Sequence, residues 1–184
     1  MMMMSTKMDK AKLKKALMNI IDAPIRVKYP YLCAPLLDID DSVFATSYKL
    51  KILPQRIGIA WEEAALFFGW KRADQHVDLV NHKKRQAVEV KSSALSDNSS
   101  SRRRKYQQLM KFKKRNPTYE VFYAAIEDVS AKDRLVYDDK IRYLTGLNAQ
   151  KLLFGDQWQE VENIMEQCIY KYLSDTGLEK VKCK

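Results

Sequence analysis

Alternating apolar and polar residues in the middle of the chain predict a β-hairpin. Its two arms are Val77–Val80 and Ala87–Lys91, and a polar turn at 81–86 joins them. A nearly apolar stretch rich in β-formers, Thr118–Ile126, follows later, as expected for a central strand covered on both faces. These patterns predict at least three strands of one sheet.

Helical spacing of apolar residues, together with Pro and Gly at the ends, predicts helices around the hairpin. The expected ranges are Asp9–Asp22, Gly58–Gly69, Arg102–Arg115, Leu147–Phe154 and Gln157–Tyr172, and Leu135–Tyr137 is expected to be a short strand or turn. The core order is helix, strand, strand, helix, strand. The predicted fold class is therefore α/β, with a mixed central β-sheet flanked by helices and helical additions at both ends.

The second arm of the hairpin carries the candidate chemistry. Side chains alternate between the two faces of a strand, so Glu89 and Lys91 share one face. If strand pairing brings Asp78 beside them, that face holds two acids and one base. Carboxylate oxygens suit Mg²⁺, and an ammonium can steady an attacking water or a phosphate oxygen. The alternative for each acid is a salt bridge with one of the many surface lysines.

The charge of the chain narrows its partners. The formal net charge is +10 with a pI near 9.4, which favours a polyanionic partner, with nucleic acid first and membrane headgroups second. Much of the excess lies in RRRKYQQLMKFKKR at 102–115, which has eight Lys or Arg and no acid. We expect this helix to contact a DNA backbone, and the alternative is a solvated helix face.

Other features exclude several classes of protein. The three cysteines are far apart and show neither zinc spacing nor a disulfide framework, and two histidines are too few for a histidine-rich metal site. No run approaches the roughly 18 apolar residues of a spanning helix, and Met1–Met4 is not followed by the apolar core of a secretory signal. We expect a cytoplasmic protein without a membrane partner.

The spacing from Asp78 to Glu89-Val90-Lys91 resembles the active-site signature of the PD-(D/E)xK nuclease superfamily, and the order of elements matches the common core of that superfamily. The resemblance covers about 58–128, with Val77 where the superfamily's name has proline. It implies a single endonuclease domain over 1–184 with a restriction-endonuclease-like core, and additions at 1–57 and 129–184 that serve DNA recognition and dimerisation.

The resemblance also implies roles for these residues. Asp78 and Glu89, with the carbonyl of Val90, would hold the Mg²⁺ cofactor, and Lys91 would orient or deprotonate the attacking water. Glu62, or Glu63 as second choice, would approach the metal from the preceding helix. The products would carry 5′-phosphate ends. The residues expected to contact DNA are Ser92, Ser93, Arg102, Arg103, Arg104, Lys105, Gln107 and Lys111.

Within the superfamily the chain looks most like a type II restriction endonuclease, a homodimer that cuts double-stranded DNA at a specific sequence. Archaeal-type Holliday junction resolvases are also similar, since they carry an early helical Glu, a strand Asp and an E-V-K-S sequence. They are generally little longer than the core, so the additions here favour a restriction enzyme. A third hypothesis is a non-catalytic basic DNA-binding protein.

Overall fold

A computed structural model describes residues 8–23, 41–73, 76–92, 99–126 and 140–175, with only the backbone described at 41–51, 99–100 and 102. Five α-helices occur in these ranges: α1 Lys10–Ile21, α2 Asp41–Leu66, α3 Ser99–Arg115, α4 Gly146–Phe154 and α5 Trp158–Asp175. A 3₁₀ turn, Gly155–Gln157, joins the last two. The strands are β1 Lys71–Arg72, β2 Leu79–Asn81, β3 Gln86–Lys91, β4 Glu120–Ala125 and β5 Arg142–Thr145.

The strands form one open mixed sheet in the order β1-β2-β3-β4-β5. β1, β2 and β3 are antiparallel neighbours, and β3, β4 and β5 run parallel. The parallel pairs need crossovers, and α3 lies in the connection between β3 and β4. The prediction of an α/β fold with a mixed sheet flanked by helices is confirmed.

The hairpin prediction is confirmed with shifted ends. β2 begins at Leu79, so Asp78 lies just before the strand, and the turn occupies 82–85. Arg85 has a left-handed backbone with φ of 51°, and the Asn81 side-chain oxygen accepts the Lys84 N–H at 3.1 Å. Such local bonds favour a tight turn over a longer strand.

Apolar residues fill both sides of the sheet. One side packs on α1, α2, α4 and α5 through residues such as Leu79, Val88 and Phe122. The other side packs on α3, where Leu109 is fully buried among Ala87 and Tyr123. Strand β4 is buried at five successive positions, as the apolar sequence predicts for a central strand.

Two differences from the sequence prediction are clear, and one expectation is not tested. The helix predicted at Gly58–Gly69 begins at Asp41 and ends at Leu66, so it continues through Pro54, where a helix end would be expected. Strands β1 and β5 were not predicted, because two and four residues are too short for a visible alternation. The expected strand or turn at Leu135–Tyr137 lies outside the described residues.

Among the described residues no helix is both long and apolar enough to cross a membrane.

A buried arginine fixes the end of α1 on α2. Arg56, 8% exposed, donates one hydrogen bond to the carbonyl of Ile21 at 2.7 Å and a second to the carbonyl of Ala23. The last carbonyls of a helix lack partners within the helix, so this guanidinium satisfies groups that would otherwise be buried without a bond. It therefore sets where the N-terminal helix packs.

We predict that Arg56→Met lowers the free energy of unfolding by roughly 2–3 kcal/mol, because two carbonyls lose a charged donor in a buried place. Urea denaturation followed by circular dichroism measures the change. Arg103→Met, on the exposed surface of α3, is the matched control and should stay within about 0.5 kcal/mol of the wild type. Equal stabilities of the two variants would contradict the structural role of Arg56.

Candidate functional site

The β3 strand separates its side chains as the alternation predicts. Ala87 packs on the α3 side of the sheet, and Val88 and Val90 pack on the opposite side. Glu89 and Lys91 therefore lie on the α3 side. Their side chains meet there, with Lys91 Nζ 2.9 Å from Glu89 Oε1.

Asp78 joins the site where the ladder between β2 and β3 becomes irregular. Its backbone N–H donates to the carbonyl of Val88 at 3.1 Å, and its carboxylate oxygen Oδ2 accepts the N–H of Val90 at 2.8 Å. The register Leu79↔Val88, continued by two residues, would pair Val90 with Val77. Because β2 begins only at Leu79, the Val90 N–H donates to the Asp78 side chain instead of to a backbone carbonyl of β2. This bond fixes the Asp78 carboxylate against β3.

Glu89 is the buried charge at the centre of the site, with 1% of its side chain exposed. Its Oε1 lies 2.6 Å from Lys105 Nζ as well as 2.9 Å from Lys91 Nζ. Lys105 comes from α3 and points toward the sheet. A carboxylate in such a place is costly unless it is paired, and here two ammonium groups from different elements share one oxygen.

Asp78 is harder to ionise than an ordinary aspartate. Burial raises the pKa of Asp78 to about 7, and the neighbouring Glu89 charge adds to this rise, while the Val90 N–H opposes it. A carboxylate whose ionisation is this unfavourable is typical of functional sites, because a cation can relieve the repulsion.

Glu62 approaches the same group of charges from the last turns of α2. Burial raises its pKa, against the effect of Arg72, and the charges of Lys91 and Glu89 act on it as well. Arg72 of β1 holds both helix acids, with one nitrogen 3.0 Å from Glu62 and the other 3.1 Å from Glu63. The structure thus brings Glu62 into electrostatic reach of Asp78, Glu89 and Lys91.

Four of the eight residues predicted to contact DNA lie on one exposed face of α3. At about 100° per residue, the exposed positions fall within roughly 120° of the helix surface. We call this set the basic stripe, and its members are Arg103, Arg104, Gln107, Lys111, Lys114 and Arg115. Lys105 and Lys113 are not part of the stripe. Lys105 binds Glu89, and Lys113 donates to the carbonyls of Pro117 and Tyr119.

The remaining predicted residues have different positions. Ser92 is partly buried and directly follows β3. Val90 contacts Asp78 through its N–H, and the use of its carbonyl as a metal ligand stays a prediction. Ser93 lies outside the described residues, and Arg102 is described only by its helical backbone.

The oxygen donors fit a hard divalent cation in their chemistry. Burial is the main cause of the raised pKa of Asp78, and the charge of the neighbouring Glu89 carboxylate adds to it; a cation between the two acids would relieve this repulsion. Within the described ranges no three His, Cys, Asp or Glu side chains are grouped closely enough to hold a metal ion. The countercharge in this structure comes from Lys91 and Lys105.

Two site residues were not recognised as such from the sequence. Lys105 was grouped with the DNA-contacting cations, although helical spacing puts it about 40° from the buried Leu109 and therefore on the inner face. No sequence pattern indicated a role for Arg72, because this role depends on a two-residue strand lying beside the end of α2.

A scan against protein-family models gives no match to the chain, and a search of curated proteins gives no significantly similar sequence.

The raised pKa of Asp78 leads to a prediction about stability and pH. The folded protein holds this proton more tightly than the unfolded chain, so the stabilisation is complete below about pH 3.8 and is lost as the pH rises through about 7. Asp78→Asn keeps an acceptor for Val90 but stays neutral. At pH 8 it should be more stable than the wild type by roughly 2–4 kcal/mol, and the gap should shrink toward pH 4.

Urea denaturation at several pH values measures this gap. Asp156→Asn, at an exposed aspartate, is the matched control and should show no such pH dependence. The difference in free energy of unfolding between Asp78→Asn and the wild type should be larger at pH 8 than at pH 5. If the difference is the same at both pH values, the buried charge is not its cause.

Proposed function

We propose that the protein is a Mg²⁺-dependent DNA endonuclease of the PD-(D/E)xK type, with the activity of a type II restriction enzyme. The observation that carries the proposal is the grouping of Asp78 with Glu89 and Lys91, in which the Asp78 carboxylate accepts the N–H of the residue between them. Glu62 is nearby, and α3 adds a helix of exposed cations. Acids and a lysine in this arrangement suit hydrolysis of a phosphodiester.

Each residue has a distinct task in this reaction. Asp78 and Glu89 hold the divalent ion, which when bound would supply Lewis-acid polarisation of the phosphate. Lys91 lies beside both acids, where its ammonium can orient the attacking water and steady the phosphate oxygens. Glu62 adds negative charge from the helix side.

The basic stripe supplies the DNA contact. Arg103, Arg104 and Lys111 project from α3 on its exposed side, and the same helix delivers Lys105 to the acids. Leu109, which packs on the sheet, lies about 180° around α3 from the centre of the stripe, so a backbone phosphate held by the stripe would lie on the side of α3 that faces away from the sheet. Hydrolysis would leave 5′-phosphate ends on double-stranded DNA.

The order of elements supports a restriction-endonuclease-like core. A helix bearing Glu62 precedes the hairpin, and α3 connects the parallel strands β3 and β4. The segments before and after this core favour a sequence-specific enzyme, acting as a cytoplasmic homodimer on two-fold symmetric DNA, over a junction resolvase.

The first prediction is Mg²⁺-dependent cutting of a long mixed-sequence DNA into discrete bands. Sequencing the ends identifies the site and the stagger. A four-way junction and a linear duplex of unrelated sequence are compared in parallel. Preference for the junction would favour the resolvase, and binding without cutting in any metal would favour the non-catalytic DNA-binding protein.

Variants test the residues that carry the proposal. Lys91→Met should lower the cleavage rate by at least about 100-fold while leaving duplex binding within a few fold, because its ammonium acts on the reacting phosphate. Lys83→Met, in the exposed hairpin turn, makes the same change outside the site and should cut normally. Cleavage that survives Lys91→Met or Asp78→Ala would refute the assignment.

A separate prediction concerns Lys105. Its ammonium lies on the Glu89 oxygen that a divalent cation would use, so the two cations compete. Lys105→Met should therefore tighten Mn²⁺ binding by at least about fivefold, since two unit charges about 4 Å apart repel by about 1 kcal/mol even in bulk water and by about 4 kcal/mol at an effective dielectric constant of 20. Isothermal titration calorimetry measures it.

Lys111→Met changes the same residue type on the exposed side of α3 and should leave Mn²⁺ binding unchanged. Equal or weaker Mn²⁺ binding by Lys105→Met would mean that Lys105 supports the site instead of competing for it. Absence of Mn²⁺ binding by the wild type would refute the proposed cofactor itself.

A further inference from the structure

Both of the chain's two histidines line one surface pocket of about 420 Å³. The pocket lies between the β1–β2 edge of the sheet and the C-terminal end of α3. Its polar lining consists of Arg72, His76, His82, Arg115 and Asn116, and Val80 belongs to its apolar wall. None of the described residues lining it is acidic.

Each imidazole is held by a neighbour from another element. His76 Nε2 lies 3.2 Å from a guanidinium nitrogen of Arg115, and arginine can only donate, so the histidine nitrogen accepts. His82 Nδ1 lies 2.7 Å from the hydroxyl of Tyr119. The backbone of His76 has φ of 72°, a left-handed conformation that is uncommon for residues other than glycine. Local backbone strain of this kind occurs most often at functional sites.

The charge of the pocket comes mainly from one arginine. Arg72 is neutralised by Glu62 and Glu63, whereas Arg115 contacts a histidine and pairs with no acid among the residues that the structure describes. Arg115 is also the last residue of α3 and the end of the basic stripe. A planar guanidinium flanked by imidazoles and an amide is a donor set that suits a phosphate.

The pocket is connected to the acids by α3. Lys105 of this helix contacts Glu89, and Arg115 of the pocket follows it by ten residues. At about 1.5 Å per residue the two residues lie roughly 15 Å apart along the helix. Phosphates along one DNA strand advance about 3.4 Å each along the helix axis, so a strand crossing the acids can reach the pocket within a few nucleotides.

We propose that this pocket is a second phosphate site, which binds a backbone phosphate of the nucleic-acid strand that lies across the carboxylates. The proposal rests on the proposed function only for the source of the phosphate. The phosphate chemistry of the pocket can be tested without any cleavage.

The experiment is ¹H NMR of the two histidine Hε1 signals in the full chain, assigned with His76→Gln and His82→Gln. Inorganic phosphate is titrated first, with sodium chloride at matched ionic strength as the blank. A short duplex is titrated second, without divalent metal. We expect both signals to shift along the duplex titration with one dissociation constant, and along the phosphate titration with a weaker one.

Arg115→Ala should abolish the phosphate shifts and weaken duplex binding by about three- to tenfold, with the salt slope lower by about one. Arg103→Ala is the matched control on the same helix. It is expected to weaken duplex binding too, but both histidine signals should still shift at saturating duplex. The phosphate and duplex titrations of the wild-type protein test the proposal by themselves. The proposal can therefore still be tested if Arg115→Ala does not fold.

Histidine signals that stay still with both ligands would overturn the proposal. Shifts with inorganic phosphate but not with duplex would also overturn it, because the pocket would then bind a free anion. Shifts with duplex alone would support it, since the strand presents its phosphate at high local concentration. Loss of cleavage with intact histidine shifts would refute the nuclease and leave the phosphate site standing.

Discussion

The buried carboxylate of Glu89 is the constraint on which the arrangement of this side of the sheet depends. At 1% exposure it needs countercharge, and it receives one ammonium from its own strand and one from α3. Losing one partner of a buried pair typically costs about 3–5 kcal/mol, so a rotation of α3 that withdrew Lys105 would be strongly disfavoured. This contact and the burial of Leu109 fix which face of α3 meets the sheet.

Fixing α3 also determines where its remaining charge lies. With Lys105 and Leu109 turned inward, the exposed cations fall on one face of about 120°. The helix thereby joins the ion-paired carboxylate of Glu89 near its first half to a positive surface along its outer side. The attraction between Lys105 and Glu89 and the availability of Arg103 and Lys111 for a polyanion are two results of the same packing.

Local patterns predicted the parts of the fold whose determinants are local. Alternation gave the β3 faces, the apolar run gave β4, and spacing placed Asp78 near Glu89. The contact of Asp78 with the Val90 N–H was not predictable, because it arises where the β2–β3 ladder becomes irregular. The prediction of α2 began at Gly58, whereas the helix begins at Asp41 and continues through Pro54. A proline usually ends a helix, but tertiary packing can override this preference.

The position of Arg72, which connects the acids of α2 to the rest of the site, could not be predicted from the sequence. Arg72 binds Glu62 and Glu63 across the gap between α2 and β1, and also lines the pocket beside His76. It therefore contacts the helix acids on one side and lines the pocket of the two histidines on the other. A change of charge at Glu62 alters how far Arg72 is neutralised, so the acids and the pocket form one electrostatic system.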